Sequence, residues 1–148
     1  EEYHFNLAPS WEGYMGGGIY LRPRDQLKLG QVILDQGMWN DTRVLSAAWV
    51  ELSTRPRAGI HESGDYGLGW WSTDLEHPDT KKTHRAIYAS GNGGQLTIVV
   101  PSLEMVVQFS AGNYNNYGTW GRSLHEFVPQ LLMTAIVPTA EDGAAASP

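Results

Sequence analysis

The segment Ser90-Gly91-Asn92-Gly93-Gly94 has the residue types in this sequence that are best suited to chemistry. It separates an aromatic-bearing run from a second run rich in β-branched residues, so it forms the corner of a predicted hairpin. Gly and Asn tolerate the positive φ angles of tight turns, so an ordinary hairpin corner is one interpretation. The other interpretation is that small residues here bring backbone N–H groups and the Ser90 hydroxyl against a substrate.

Complete catalytic signatures are otherwise missing from the sequence. It contains no Gly-rich phosphate loop with a following Lys, no Ser-x-x-Lys and no Gly-x-Ser-x-Gly. The five histidines are scattered, and there is no cysteine to serve as a nucleophile or a thiolate ligand. The motifs therefore predict no metal site, no cofactor and no nucleophile within this chain.

Composition is typical of a folded domain with an acidic surface. Of the 148 residues, 41% are apolar and 18% are charged, which fits one globular domain. The net charge of −6 argues against nucleic acid or an anionic membrane as the main partner. The sequence contains no run of about 18 apolar residues, so it predicts no membrane-spanning helix. Because the chain starts without Met or a signal peptide, we interpret it as a processed product or a piece of a longer protein.

Three helices are predicted from their start and stop signals. The first spans 23–36, with a Pro at its start and Gly37 beyond its end. Ser46 is the predicted N-cap of a short second helix. A long terminal helix is expected from an N-cap at Thr119, with a kink or restart at Pro129.

Four strands are predicted between the second and third helices. They cover 67–73, 84–90, 95–100 and 105–111. The last two connections are short enough to require antiparallel neighbours. Nearly continuous apolar runs indicate that helices cover both faces of the sheet, so the fold class is α+β. We expect one domain over 1–138 and a disordered tail over 139–148.

Three stretches of this sequence are similar to the serine β-lactamase-related hydrolases, the superfamily of class C β-lactamases, penicillin-binding esterases and D-aminopeptidases. They read GGGIYLRPRDQLKLGQVILDQGMWNDTRVLSAAWV, YGLGWW and YASGNGGQLTIVVPSLEMVVQFSAGN, and they occur in the family's order. The resemblance implies an α/β sandwich, an antiparallel sheet flanked by helices, of which this chain is only the later part. The family's Ser-x-x-Lys and Tyr-x-Asn boxes belong to the first part of the domain.

The resemblance also assigns roles at the hairpin corner. Ala89-Ser90-Gly91 matches the third catalytic box, which is commonly Lys-Thr-Gly in the lactamases. Ala89 supplies no cation, which argues against true β-lactamase activity, whereas the Ser90 hydroxyl is suited to bind a substrate carbonyl or carboxylate. Gly91 leaves room for a substrate along the strand, and the N–H near Asn92 is one of two implied oxyanion-hole donors.

Three residues are candidate substrate contacts, and the first is Ala89, by its position in the third box. Asn113 ends the last predicted strand, and Tyr66 could border the cleft, although both also have ordinary structural interpretations as a turn residue and a packed aromatic. Tyr114-Asn115-Asn116 matches Tyr-x-Asn formally, but it follows the third box, so we assign it no catalytic role.

Two functions from different classes remain open at this point. The first is the C-terminal portion of a serine hydrolase that acts on a small-molecule ester, amide or peptide, with the isolated chain inactive. The alternative is a non-catalytic binding module that keeps the fold and uses its aromatic loops at 3–20 and 114–120. If the chain is the later part of a domain, its sheet has an edge that lacks partner strands, which predicts self-association of the isolated chain or compensating contacts. The resemblance favours a periplasmic or extracellular location.

Overall fold

The computed structural model describes residues 4–5, 17–57 and 65–136. The tail predicted over 139–148 lies outside the described residues, and the domain bounds of 1–138 stay a prediction. None of the described helices has the length and apolar character needed to cross a membrane.

The described strands form two short hairpins and one larger sheet. In chain order the strands are β1 His4–Phe5, β2 Ile19–Tyr20, β3 Met38–Trp39, β4 Thr42–Arg43, β5 Trp71–Glu76, β6 Thr83–Gly91, β7 Gln95–Val100 and β8 Met105–Phe109. The helices are α1 Pro23–Leu34, α2 Ala47–Thr54 and α3 Tyr117–Arg122. α3 continues without a break into π-helical turns, Ser123–Leu132, and a final 3₁₀ turn, Met133–Ala135.

The larger sheet is antiparallel throughout, with the order β5-β6-β7-β8. The three later strands lie within two residues of their predicted bounds. The predicted strand at 67–73 is wrong in position, because β5 begins only at Trp71. Gly69 has a φ of 91°, and the Gly67 N–H donates to the Trp70 carbonyl at 2.7 Å. These residues therefore form a tight turn before the strand.

One face of the sheet is covered by α1 and α2. Their contact centres on a buried cluster of Ile33, Val50 and Val99. α1 comes close to the sheet at Gly30, where a Cβ would lie 2.5 Å from Val106 Cγ1. The small residue at this position therefore sets the distance between helix and sheet.

The terminal helix covers the opposite face. Leu96, Ile98 and Val100 of β7 pack there against Leu124 and Val128. Alternate residues of β7 face the two sides of the sheet, and every residue from Leu96 to Val100 is buried. The prediction that helices cover both faces is confirmed.

The ends of the helices differ from the sequence-based expectation in two places. α1 ends at Leu34, before Gln36, which has a φ of 52°. Asn116, and not Thr119, is the N-cap of α3, since its Oδ1 accepts from the Thr119 N–H at 3.4 Å. Pro129 lies within the π-helical turns, whose wider spacing accommodates a residue without an N–H.

Candidate functional site

The edge of β6 is open where the third box was predicted. β5 pairs with β6 from Thr83 to Tyr88 and goes no further. β6 continues through Ala89, Ser90 and Gly91, which pair only with β7 in the described part of the chain. A row of backbone groups therefore faces away from β7, and no described strand lies beside it.

The turn after this edge requires two of its three glycines. Gly93 and Gly94 have φ angles of 101° and 92°, which residues other than glycine rarely adopt. A Cβ on Gly93 would lie 2.9 Å from Tyr114 Cε1, and one on Gly94 would lie 3.1 Å from Trp120 Cδ1. Backbone conformation and close packing thus account for both residues.

Gly91 is different from its two neighbours. Its φ lies outside the left-handed region, and the nearest atom to a Cβ there is Gln95 Cβ at 3.5 Å, an ordinary contact. The fold has room for a side chain at this position. A requirement for glycine at 91 would therefore come from something that approaches the strand from outside.

Asn92 uses its side chain and its backbone in different ways. Its Oδ1 accepts from the Asn115 N–H at 3.2 Å, which ties the turn to the loop before α3. Its own N–H donates to no acceptor in the ranges that the structure describes. This exposed residue therefore offers a backbone donor at the end of the open edge.

Asn113 is brought directly beside this turn. Its N–H donates to the Gly93 carbonyl at 2.9 Å, and its carbonyl accepts from Trp120 Nε1 at 3.0 Å. The backbone of Asn113 is therefore fixed, and the residue is exposed at the rim of the corner.

Ser90 and Ala89 point to opposite faces of the sheet. Ser90 lies opposite Leu96 and so faces the terminal helix, whereas Ala89 lies opposite Thr97 on the face covered by α1. Under Ser90 there is a pocket of about 170 Å³. Its sheet side consists of Tyr88, Ser90 and Leu96. Its helix side consists of Tyr117, Trp120, Gly121, Leu124 and His125.

Tyr88 places a phenol in this pocket two residues before Ser90. Burial raises the pKa of this phenol above its ordinary value, and the nearby Asp65 carboxylate raises it further. Both effects disfavour the tyrosinate, so the hydroxyl remains a hydrogen-bond donor at neutral pH.

Tyr66 lies beyond the other aromatic residues, outside the pocket lining. Its ring packs on Trp71 with centroids 4.5 Å apart, and Trp71 in turn pairs with Tyr88 across the sheet. The Tyr66 carbonyl accepts from the Arg57 N–H at 2.9 Å. The structure thus places Ser90, the turn and Asn113 next to one another. Tyr66 is separated from them by Trp71, which lies between it and Tyr88.

The helix side of the pocket was missed in the sequence. Tyr117, Gly121 and His125 recur at intervals of four, which is the signal of a shared helix face. Nothing local in the sequence indicates that this face meets Ser90. Among the residues described, no group of three His, Cys, Asp or Glu side chains could hold a metal ion.

Comparison with solved structures identifies the fold. A Bacillus anthracis protein assigned as a 6-aminohexanoate-dimer hydrolase superposes with a TM-score of 0.61 and 17% identity, over 93% of this chain. That protein has the serine β-lactamase fold. This chain has part of the same fold. It spans 35% of the length of the Bacillus anthracis protein, so the serine β-lactamase fold is only partly represented in it.

The expected α+β class and the β-lactamase-like fold are therefore confirmed. A Bacteroides dorei DSM 17855 protein assigned as a β-lactamase also matches, with a TM-score of 0.46 and 17% identity over 74% of this chain and 37% of its own length. No family model and no curated protein sequence matches the chain.

Proposed function

We propose that this chain is the C-terminal portion of a serine hydrolase that acts on an ester or amide through an acyl-enzyme. The Ser-x-x-Lys nucleophile box lies outside the chain, which contains no such motif. The β-lactamase-like fold supports this proposal, as does the chain's coverage of 35% of its structural neighbour. The name of that neighbour refers to hydrolysis of the 6-aminohexanoate dimer, and an ester or amide substrate for this chain accords with it.

The observation that carries the proposal is the edge of β6 beyond Tyr88, which ends at the Asn92 N–H, a donor with no acceptor among the described residues. When a serine attacks a carbonyl, negative charge develops on the oxygen, and N–H donors stabilise it. The Asn92 N–H supplies one donor and the nucleophile's own N–H the other. Gly91 keeps the strand clear so that the substrate lies antiparallel to it. Water then hydrolyses the acyl-enzyme.

The remaining candidates bind the substrate around this centre. The Ser90 hydroxyl donates to a carbonyl or carboxylate, and Asn113 contributes its exposed side chain from the adjoining loop. Ala89 has no cationic side chain, so the proposed enzyme does not bind a substrate carboxylate through this residue. Tyr66 lies outside the pocket lining, and its proposed place at the border of the cleft depends on its packing against Trp71.

A covalent probe tests this function on the intact polypeptide that carries this chain. A fluorophosphonate is expected to label one serine, in a Ser-x-x-Lys that precedes Glu1 in that polypeptide. Replacing Gly91→Val is expected to lower kcat/KM for an ester by about 10²-fold, because its side chain keeps the substrate carbonyl away from the Asn92 N–H, and loss of one oxyanion donor has an effect of this size.

Gly118→Val is the matched control, because a Cβ there meets only Asn116 Oδ1, at 3.9 Å, and the residue lies outside the corner. The isolated chain is expected to be inactive. An intact polypeptide without a labelled serine contradicts the hydrolase proposal.

A non-catalytic binding module is the second candidate, and the exposed aromatic residues before and within α3 favour it. Tyr114 and Tyr117 are 63% and 66% exposed, and adjoining exposed aromatic rings can form a binding surface. The other aromatic loop of this candidate, 3–20, lies largely outside the described residues. A polypeptide that lacks both Ser-x-x-Lys and an upstream Tyr-x-Asn, and that resists the probe, supports this candidate over the enzyme.

Self-association of the isolated chain is proposed through β8. In the described ranges this strand pairs with β7 alone, so its outer edge presents unpaired backbone groups. Sedimentation of the 148-residue chain is expected to show dimers or larger species whose fraction rises with concentration. A monodisperse monomer at all concentrations contradicts this.

A further inference from the structure

The pocket under Ser90 has apolar walls and a polar edge. Leu96 and Leu124 form its buried base, and the rings of Tyr117 and Trp120 stand on the helix side. Hydroxyl groups come only from the β6 side and Tyr117 among the lining residues. This is the arrangement of a small-molecule site, in which apolar surface supplies affinity and a few polar groups fix orientation.

The size of the pocket limits what can occupy it. Its volume is about 170 Å³. An apolar cavity of about 150 Å³ in a protein core is known to hold benzene. One six-membered ring therefore fits.

The walls are held in place before any ligand arrives. Trp120 Nε1 donates to the Asn113 carbonyl at 3.0 Å, and the indole lies against Gly94. The rings of Tyr117 and Trp120 are 4.4 Å apart at a tilt of 57°. The loop that holds the indole also contacts the turn, so the pocket is held in a fixed position relative to the corner.

We infer that this pocket binds a single ring, of benzene size, on the acyl or leaving group of the substrate. The inference rests on the proposed function and names its substrate class as aryl or arylalkyl esters and amides. With the ring between Leu96 and Trp120, the attached carbonyl lies beside Ser90 and the open edge of β6.

Gly121 provides a direct test of ring binding. A Cβ on this lining residue meets nothing within 4 Å, so a larger side chain fits the fold and occupies space at the pocket. Benzyl alcohol is titrated into the full chain while amide and indole N–H signals are followed by NMR. The signals of Ser90, Leu96 and Trp120 are expected to shift, and Gly121→Leu is expected to weaken binding at least tenfold.

Gly118→Leu is the matched control, since this glycine lies on the same helix and a Cβ there meets only Asn116 Oδ1, at 3.9 Å. It is expected to bind benzyl alcohol as the wild type does. Tyr117→Ala is a second variant that removes a wall, and weaker binding is expected for it too. Shifts confined to other regions, or undiminished binding in both pocket variants, overturn the inference.

This measurement needs no nucleophile, so its failure is distinct from that of the proposed function. A polypeptide that lacks a reactive serine but binds benzyl alcohol in this pocket contradicts only the hydrolase. In an active polypeptide, the kcat/KM ratio of benzyl acetate to methyl acetate is expected to fall at least tenfold in Gly121→Leu and to stay unchanged in Gly118→Leu. An unchanged ratio in Gly121→Leu contradicts the substrate class.

Discussion

The N–H of Asn115 donates to Oδ1 of Asn92 at 3.2 Å, and this bond joins the corner after β6 to the loop before α3. The two residues are 23 positions apart in the chain. Asn115 has a φ of 62°, a conformation that asparagine tolerates better than most residues. The corner and the loop therefore form one unit, and the proposed oxyanion donor is part of it.

Replacing Asn92→Ala removes this acceptor and is expected to loosen the loop. We expect a loss of about 1 kcal/mol in the free energy of unfolding, the usual net value of one hydrogen bond. Amide exchange at Asn115 is expected to become faster, whereas Asn92→Asp keeps an acceptor oxygen and should keep the slow exchange. Equal exchange rates in wild type and Asn92→Ala contradict the role given to this bond.

The glycines of the corner are expected to respond differently to the same substitution. Gly94→Ala puts a Cβ at a φ of 92° and 3.1 Å from Trp120, so we expect a loss of about 1–3 kcal/mol in stability. Gly91→Ala meets only an ordinary contact and is expected to change stability by less than about 0.5 kcal/mol. Urea unfolding of the two variants measures this difference. A large loss in Gly91→Ala means that the fold itself requires this glycine.

His77 fastens the end of the terminal helix to the β5–β6 connection. Its Nε2–H donates to the Met133 carbonyl at 3.1 Å, and its Nδ1 accepts from the N–H groups of Asp79 and Thr80 at 3.2 and 3.4 Å. The ring is only 5% exposed. His77→Leu leaves the N–H groups of Asp79 and Thr80 without this acceptor, and it removes one of the two donors to the Met133 carbonyl, which keeps the Ile136 N–H. A destabilisation of about 1–3 kcal/mol is therefore expected in urea unfolding. The exposed His125→Leu is the control, and an equal effect of the two changes contradicts the prediction.

Tyr88 is expected to make stability fall at alkaline pH. Burial, with a smaller effect from Asp65, raises the pKa of its phenol in the folded state. Below the ordinary pKa of about 10, both states keep the proton, so the contribution to stability is complete. As the pH rises from there through the folded-state pKa, the unfolded chain releases the proton first and unfolding becomes easier.

Urea midpoints of wild type and Tyr88→Phe at pH 8 and above pH 10 measure this titration. The difference between the two midpoints at pH 8 measures the effect of removing the hydroxyl group. The change in that difference at higher pH measures the ionisation of the phenol. We expect the wild type to lose more stability than Tyr88→Phe as the pH rises. A gap that does not change with pH contradicts the raised pKa.

The sheet could be predicted because its information is local. Short connections between 84 and 111 leave antiparallel pairing as the only arrangement, and the apolar run of β7 indicates a helix on each face. The start of β5 was missed because Trp70 and Trp71 have the composition of a strand, whereas Gly67 and Gly69 place the first of them in a turn. Local composition does not distinguish these two outcomes.

The pocket could not be predicted because it depends on packing between distant segments. Ser90 and His125 are 35 positions apart, and only the docking of the terminal helix on the sheet places them around one space. The N-cap was missed for a related reason. Asn116 and Thr119 are both good capping residues, and the contacts of the loop with the corner decide between them.

Gly91 differs from Gly93 and Gly94 in why glycine is needed, and this difference matters when the chain is compared with homologues. The fold itself requires glycine at positions 93 and 94, so glycines there in a homologue do not indicate catalytic activity. A bulky residue at position 91, by contrast, would mark a homologue that keeps this fold without the proposed hydrolase activity.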